Sequence, residues 1–236
     1  MKKVAIMQPY FLPYLGYFSL IKHTDRFVLL DEVQFIRHGW IERNRILKQG
    51  EGWLYIKVPL LKHAQTAKIR DIKIDNSKNW QKVILDQLVT YKRIAPHYSA
   101  VVQVLNKLFE RQFGSIVDLN KGALRAICSY LQINKPIEVI SEMKLDIIQP
   151  TAPDEWALNI AKALAANEYW NPPGGQAFFD KAKYDKAGVE LKFQAIKLAE
   201  YDQKRPEFES GLSIVDVLMF NSPEEVNIML DDYEFL

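Results

Sequence analysis

Between Gln8 and Phe18 the chain reads Gln-Pro-Tyr-Phe-Leu-Pro-Tyr-Leu-Gly-Tyr-Phe, a run whose residue types suit the wall of a small-molecule pocket. Pro9 and Pro13 fix φ and lower the entropy lost in holding a loop open. Tyr10, Phe11, Tyr14 and Tyr17 offer faces to a ring or a sugar, and Gln8, Pro9 and Tyr10 are taken as binding candidates. Gly16 opens a helix, where a missing side chain would let a phosphate reach free backbone N–H groups and the positive end of the helix dipole. A competing reading makes the aromatics core and leaves Gly16 to relieve crowding.

Asp31 is the leading candidate for a general base or cation-binding group, because it follows an apolar run at the end where ligands are met. Partial burial there would raise its pKa toward working pH. It could equally be a loop carboxylate satisfied by a backbone N–H. Arg43 and Arg45 flank Asn44, and two guanidiniums at this spacing suit a phosphate or carboxylate, or else pair with local acids. Gly174 and Gly175 follow two prolines and could present backbone donors to an anion, or form a plain turn. Tyr201, Gln203, Ser213 and Asp216 supply hydrogen-bonding groups of the kind that fix a sugar. Ser213 and Asp216, three residues apart, share a helix face, where a cap or surface ion pair is the alternative.

Strands are expected to position these groups. Val4–Met7 and Phe27–Leu30 are apolar runs separated by residues 8–26 with one short helix, which is the βαβ pattern of a parallel pair. Ligands collect at the carboxyl ends of such strands. Trp53–Val58 reads as a third strand, and Lys68–Ile74 alternates like a half-exposed edge strand. From Asn79 the period becomes helical, broken at Pro96, with a further helix capped by Ser115 and running to Gln132. Pro136–Ile140 returns to strand, and Asp154 is expected to cap a helix through Ala166. Tyr169 and Trp170 then enter the turn at 172–175. Val189–Phe193 is a last alternating strand, and the C-terminal stretch from Leu212 is helical, with Ser222-Pro223-Glu224 opening a final helix. The expectation is one α/β domain over 1–236 with a helical segment near 78–132.

Composition excludes several classes. The 31 basic and 29 acidic residues leave a formal charge of +2, which gives no drive toward nucleic acid or anionic membrane. A local patch of Lys57, Lys62, His63, Lys68 and Arg70 reads as a solvated face or a weak basic site. The single cysteine, Cys128, excludes an internal disulfide and a thiolate zinc cluster, and its helical spacing with Leu124, Ile127 and Leu131 makes it core. The four histidines are scattered, so no structural metal is expected. No window nears the roughly 20 apolar residues of a membrane span. No Gly-x-Ser-x-Gly or Walker loop is present. A cytoplasmic location follows as an expectation.

The N-terminal unit resembles the nucleotidylyltransferase superfamily, in which a strand is followed by proline, an aromatic and His-x-Gly-His at the helix start. Tyr14-Leu15-Gly16-Tyr17 keeps the glycine and the spacing, but both histidines are tyrosines. Tyrosine donates one hydrogen bond and carries no positive charge near neutral pH, so Tyr14 joins Asp31 as a catalytic candidate of a different kind. Asp31-Glu32-Val33-Gln34-Phe35 resembles the Asn-Pro-x-Gln-Phe segment of pantothenate synthetase, an amide-forming member, which adds Gln34 to the binding candidates.

The whole chain resembles the WbqC-like family, which is found with surface-polysaccharide genes and is associated with glycine transfer. The shared segments are Gln8–Phe18, Asp25–Phe35, Arg43–Ile46, Gly52–Leu54 with Val58-Pro59, Tyr201–Gln203 and Leu212–Leu218. The family usually opens His-Gln-Pro, and here Met7 stands in place of that histidine. The resemblance implies a Rossmann-like parallel sheet of the nucleotidylyltransferase type. It also implies an aminoacyl transferase joining glycine to an amino-sugar nucleotide, with ATP and magnesium as the cofactors an adenylate route would use. The alternative is a catalytically silent module that retains a nucleotide-sugar pocket. The partners expected are a nucleotide sugar and an amino acid. Neither a nucleic acid nor a membrane span is expected, and the oligomeric state is open.

Overall fold

In the computed structural model, which describes residues 2–236, side-chain alternation on the strands decides the layers. On β1 (Lys3–Met7) Val4 and Ile6 enter one hydrophobic cluster, while Ala5 enters another. On β2 (Arg26–Leu29) Val28 joins the first of these, and Phe27 and Leu29 the second. Both faces of these strands are therefore covered, as a parallel sheet requires. Five strands run parallel in the order β5 (Ile137–Val139), β2, β1, β6 (Glu168–Asn171) and β7 (Glu190–Ile196). β8 (Tyr233–Phe235) adds an antiparallel edge to β7.

Read in chain order, the parallel strands lie third, second, first, fourth, fifth. The order reverses between β1 and β6, which is the switch point where a doubly wound sheet opens a crevice at its strand ends. The helix α1 (Leu15–His23) leaves the carboxyl end of β1 and buries every residue from Leu15 to Ile21. Burial of Phe18, Leu20 and Ile21 alone contributes about 1.5–3 kcal/mol each. Asp231 at the end of α8 (Pro223–Asp231) pairs with Lys22 at 2.7 Å and His23 at 2.9 Å, tying the last turn of α1 to the C-terminal helix.

Between β2 and β5 the chain inserts a hairpin, β3 (Arg43–Leu47) with β4 (Trp53–Lys57), and the helices α2 (Trp80–Gln87), α3 (Tyr98–Phe109) and α4 (Ile116–Tyr130). The stretch near 78–132 holds α2, α3 and α4, and Ser115 caps α4 by accepting from the Asp118 N–H. α5 (Glu155–Ala163) and α6 (Lys181–Lys186) flank β6, and α7 (Ile214–Phe220) precedes α8. Among the described residues no helix is long and apolar enough to cross a membrane.

Several expectations need correction. Trp53–Lys57 is a strand, but it pairs with β3 outside the main sheet. Lys68–Ile74 is not an edge strand. A 3-10 turn occupies Ile69–Asp71, and isolated bridges tie Lys68 to Gln34, Ile74 to Leu60 and Lys73 to Ser115. The alternation there arises because Ile69, Ile72 and Ile74 face the core of the inserted part rather than a sheet face. α4 ends at Tyr130, α5 ends at Ala163, and the Asp154 side chain makes no cap; it pairs with Lys183 at 2.9 Å instead. β3, β6 and β8 are strands that the sequence reading left unassigned.

Candidate functional site

A cavity of about 1350 Å³ opens at the switch point. Met7 and Gln8 from the end of β1 face Asn171 and Pro172 from the end of β6 across it. Of the sequence candidates, Gln8, Tyr10, Tyr14, Gln34, Asn44, Gly174 and Gly175 line this one space. Pro9, Gly16, Tyr17, Asp31, Arg43, Arg45, Tyr201, Gln203, Ser213 and Asp216 do not.

The loop from Gln8 to Tyr14 is held by its own carbonyls. The Tyr17 hydroxyl donates to the Gln8 carbonyl. Asn120 donates to the Pro9 carbonyl at 2.7 Å, and Asn44 to those of Phe11 and Leu12 at 3.0 and 2.9 Å. Ser213 donates to Leu12 at 2.7 Å and the Ile214 N–H to Pro13 at 2.8 Å. Leu12 carries φ of +41°, a strained angle that only over-determined surroundings sustain. Pro9, Tyr17, Asn44 and Ser213 thus act on the loop's shape. Only Asn44 among them also lines the cavity, with both amide hydrogens already used.

Tyr17 is wholly buried, with its ring 5.0 Å from Phe27 and 5.7 Å from Tyr10. Burial holds the phenols of Tyr10, Tyr14 and Tyr17 above their ordinary pKa, so all three remain protonated donors. The space that Gly16 vacates is already taken. A Cβ there would meet Tyr14 Cε2 at 2.5 Å and its Oη at 2.6 Å, so the Tyr14 ring covers the first turn of α1 where an anion was expected.

The opposite wall is built around Asn171. Its amide accepts from the Tyr169 hydroxyl at 2.9 Å and donates to the Pro172 carbonyl at 3.0 Å. Gly175 is required here, since a Cβ would fall 2.1 Å from Asn171 Nδ2 and 2.8 Å from Phe179 Cε2. A Cβ on Gly174 would meet nothing within 4 Å, and the residue lines the cavity.

Arg43 and Arg45 point to one face of β3, as residues two apart must. Arg43 is spent: its guanidinium lies 4.1 Å from the Tyr55 ring centre and donates to the carbonyls of His38 and Gly39. Arg45 stacks between Trp40 and Trp53 at 5.5 and 5.1 Å and donates once, to the Gly211 carbonyl at 3.1 Å. Its Nε has no partner. Trp40 and Gly211 both line the cavity, so Arg45 stands directly behind the rim.

Asp31 differs from the expectation of a base that meets substrate. It is 1% exposed, and its carboxylate accepts from the Ser141 hydroxyl at 2.5 Å and N–H at 3.1 Å. Burial raises its pKa against those two hydrogen bonds. The cavity carboxylate is its neighbour, Glu32. Burial works to raise the Glu32 pKa, but Lys68 at 2.8 Å and Arg70 outweigh it and hold the group below its usual value. No Lys, Arg or His is among the lining residues described.

Tyr201, Gln203 and Asp216 form a separate buried network. Asp216 accepts from Tyr201 at 2.5 Å, Tyr91 at 2.6 Å and Gln203 at 2.9 Å, and burial raises its pKa despite these donors. Tyr91 accepts in turn from the Leu47 N–H at 2.8 Å, so the network fastens α7 to β3 and to the segment at 201–209.

Sequence reasoning missed Glu32, Trp40, Trp156, Asn171 and Phe179 as lining residues. Trp40 follows Gly39, an aromatic beside a glycine, which was an available signal; Trp156 and Phe179 adjoin neither proline nor glycine and carried none.

The sequence profile of the WbqC-like protein family matches residues 8–228. A protein of Mycobacterium tuberculosis (strain ATCC 25618 / H37Rv), named "Uncharacterized protein Rv1507c", is 32% identical over 224 residues, covering 94% of each chain. No solved structure shows significant similarity to the chain.

Proposed function

The chain belongs to the WbqC-like protein family, and from that premise we propose that it is an aminoacyl transferase, joining glycine to the amino group of a nucleotide-linked sugar for a surface polysaccharide. The observation that carries this reading is the cavity, where the separated stretches 6–14, 30–44, 150–157 and 169–179, together with Gly211, meet at the carboxyl ends of β1 and β6. Its volume exceeds the ~300–1,000 Å³ of most single-ligand sites, which suits two substrates side by side. The strand order and the loop–helix at Gln8–His23 support a Rossmann-like sheet of the nucleotidylyltransferase type, read as one domain.

In the proposed reaction the amine lone pair attacks the carbonyl carbon of a glycyl adenylate, the product of glycine and ATP with loss of pyrophosphate, for which magnesium would serve as the nucleotide's counter-ion. A C–N bond forms, the C–O bond to phosphate breaks, and AMP leaves with the electron pair. Tyr10 and Tyr14, kept protonated by burial, donate hydrogen bonds to oxygens on which charge develops. Gln8, Gln34 and the backbone at Gly174 and Gly175 meet sugar hydroxyls. Arg45, stacked behind the rim formed by Trp40 and Gly211, contributes positive charge toward a phosphate there, and the amine's proton passes to water. Asp31 acts as a positioning residue: its carboxylate holds Ser141, and its carbonyl accepts from the Arg70 N–H at 3.0 Å beside Glu32.

Mass spectrometry of the protein with an amino-sugar nucleotide, glycine and ATP tests this. A product heavier by one glycyl unit is expected, and no adduct with any common amino acid would overturn it. The absence of a basic side chain among the lining residues described supports a second reading, a silent sugar-nucleotide-binding module. In that case nucleotide sugars raise the melting temperature but no adduct forms.

A further inference from the structure

Glu32 is the one charged side chain lining the cavity among the described residues. It follows β2, next to the switch point, and the segment around it is zipped in place. The Phe35 N–H donates to the Ala67 carbonyl at 2.9 Å, Ile69 to Val33 at 2.9 Å and Arg70 to Asp31 at 3.0 Å. One carboxylate oxygen accepts from Lys68 Nζ at 2.8 Å and the other from Arg70 Nη1. A carboxylate has about four lone-pair sites, so each oxygen keeps one acceptor direction unused.

Two adjacent acceptors on one planar group match two adjacent O–H donors. The charge around them narrows the choice of ligand further. Lys68 and Arg70 offset the charge of Glu32, and Arg70 also pairs with Asp71 at 3.8 Å, so the cluster of two cations and two carboxylates is close to neutral. That balance accepts a neutral hydroxyl pair and tolerates a phosphate nearby. Because the same two cations keep Glu32 ionised, it stays an acceptor throughout the neutral range.

We propose that Glu32 recognises a vicinal diol of the substrate, held as an ionised two-oxygen acceptor by Lys68 and Arg70. This rests on the reading of the cavity as a site for a sugar-bearing small molecule. The diol belongs either to the ribose of a nucleotide or to a pyranose ring, and the test separates the two.

Isothermal titration with the full chain compares ribonucleoside 5′-diphosphates with their 2′-deoxy forms, and glucosamine with 3-deoxyglucosamine. Loss of one hydroxyl is expected to weaken binding at least ~10-fold in one of the two pairs, as for a hydrogen bond to a charged group. The ribose pair responding assigns the diol to the nucleotide, and the glucosamine pair responding assigns it to the sugar. Glu32→Gln, whose amide nitrogen cannot accept, should reduce the discrimination to about twofold or less while leaving the melting temperature within a few degrees of the parent. Equal binding within both pairs, discrimination surviving in Glu32→Gln, or no binding of any of these probes overturns the inference. The glycyl-transfer assay reports separately on the proposed function, so a product there with any of these results leaves that reading standing.

Discussion

The ring of Tyr14 lies across the first turn of α1 and fills the place a side chain on Gly16 would occupy, with Tyr14 Cζ only 2.6 Å from that Cβ position. The glycine exists for the tyrosine rather than for a bound anion. Two residues whose types invite a phosphate-site reading turn out to satisfy each other.

Gly16→Ala must therefore push the ring aside. We expect a cost of about 1–2 kcal/mol from overpacking, partly offset by the ~1 kcal/mol gain in helix propensity. In a Tyr14→Ala background the cost should vanish and only the gain remain. Denaturant unfolding across the four-member cycle checks this, and an equal effect of Gly16→Ala in both backgrounds would contradict it.

The two glycines of the opposite wall should behave differently. Gly175→Ala drives a methyl into Asn171, which Tyr169 and Pro172 hold in place, and should destabilise by about 1–3 kcal/mol. Gly174→Ala has open space and should change stability by no more than about 0.5 kcal/mol. Thermal unfolding of the pair distinguishes them, and similar melting temperatures would count against the geometry of this wall.

Asn44 hydrogen-bonds the carbonyls of Phe11 and Leu12 and accepts from the Arg45 N–H at 2.8 Å. Asn44→Ala leaves these buried groups unpaired and should cost about 3 kcal/mol. Amide hydrogen exchange should quicken from Phe11 to Leu15 more than in α3 or α4. Uniform quickening would show that Asn44 supports the whole core and not the loop.

Asp216 gives a pH prediction. Burial raises its folded-state pKa above the unfolded value near 3.9, so its contribution to stability is fully present below that value. The contribution is lost as pH rises through the folded-state pKa. Asp216→Asn removes the titration, so the stability of the variant relative to the parent should increase as pH rises from about 4 toward neutrality. Urea melts of both proteins across that range decide it, and parallel curves would contradict the assignment.

How much of this was legible in the sequence depended on length and on where a side chain spends its hydrogen bonds. β1, α1 and β2 were readable because Val4–Met7 and Phe27–Leu30 are apolar runs with a helical spacer. β6 was not, because four residues that all become buried show no alternation, and Glu168-Tyr-Trp-Asn carries no apolar run. β3 was masked by Arg43 and Arg45, whose guanidiniums lie on aromatic rings. Without β6 the switch point could not be located, although the loop on its near side was recognised. The site candidates divide the same way. Tyr201, Gln203 and Asp216 have the residue types of a sugar site, but their polar groups are turned on one another. Residue type cannot distinguish an inward network from a ligand-facing one, and only the fold does so.

The central claim is that one cavity between the ends of β1 and β6 holds the small-molecule substrate. Photo-crosslinking with an azido-labelled amino-sugar nucleotide, followed by peptide mapping, tests it most directly. The label is expected on residues 8–14, 32–40 and 171–179, and should be competed away by the unlabelled nucleotide sugar. Competable labelling confined to other parts of the chain, or no competable labelling at all, would contradict the account.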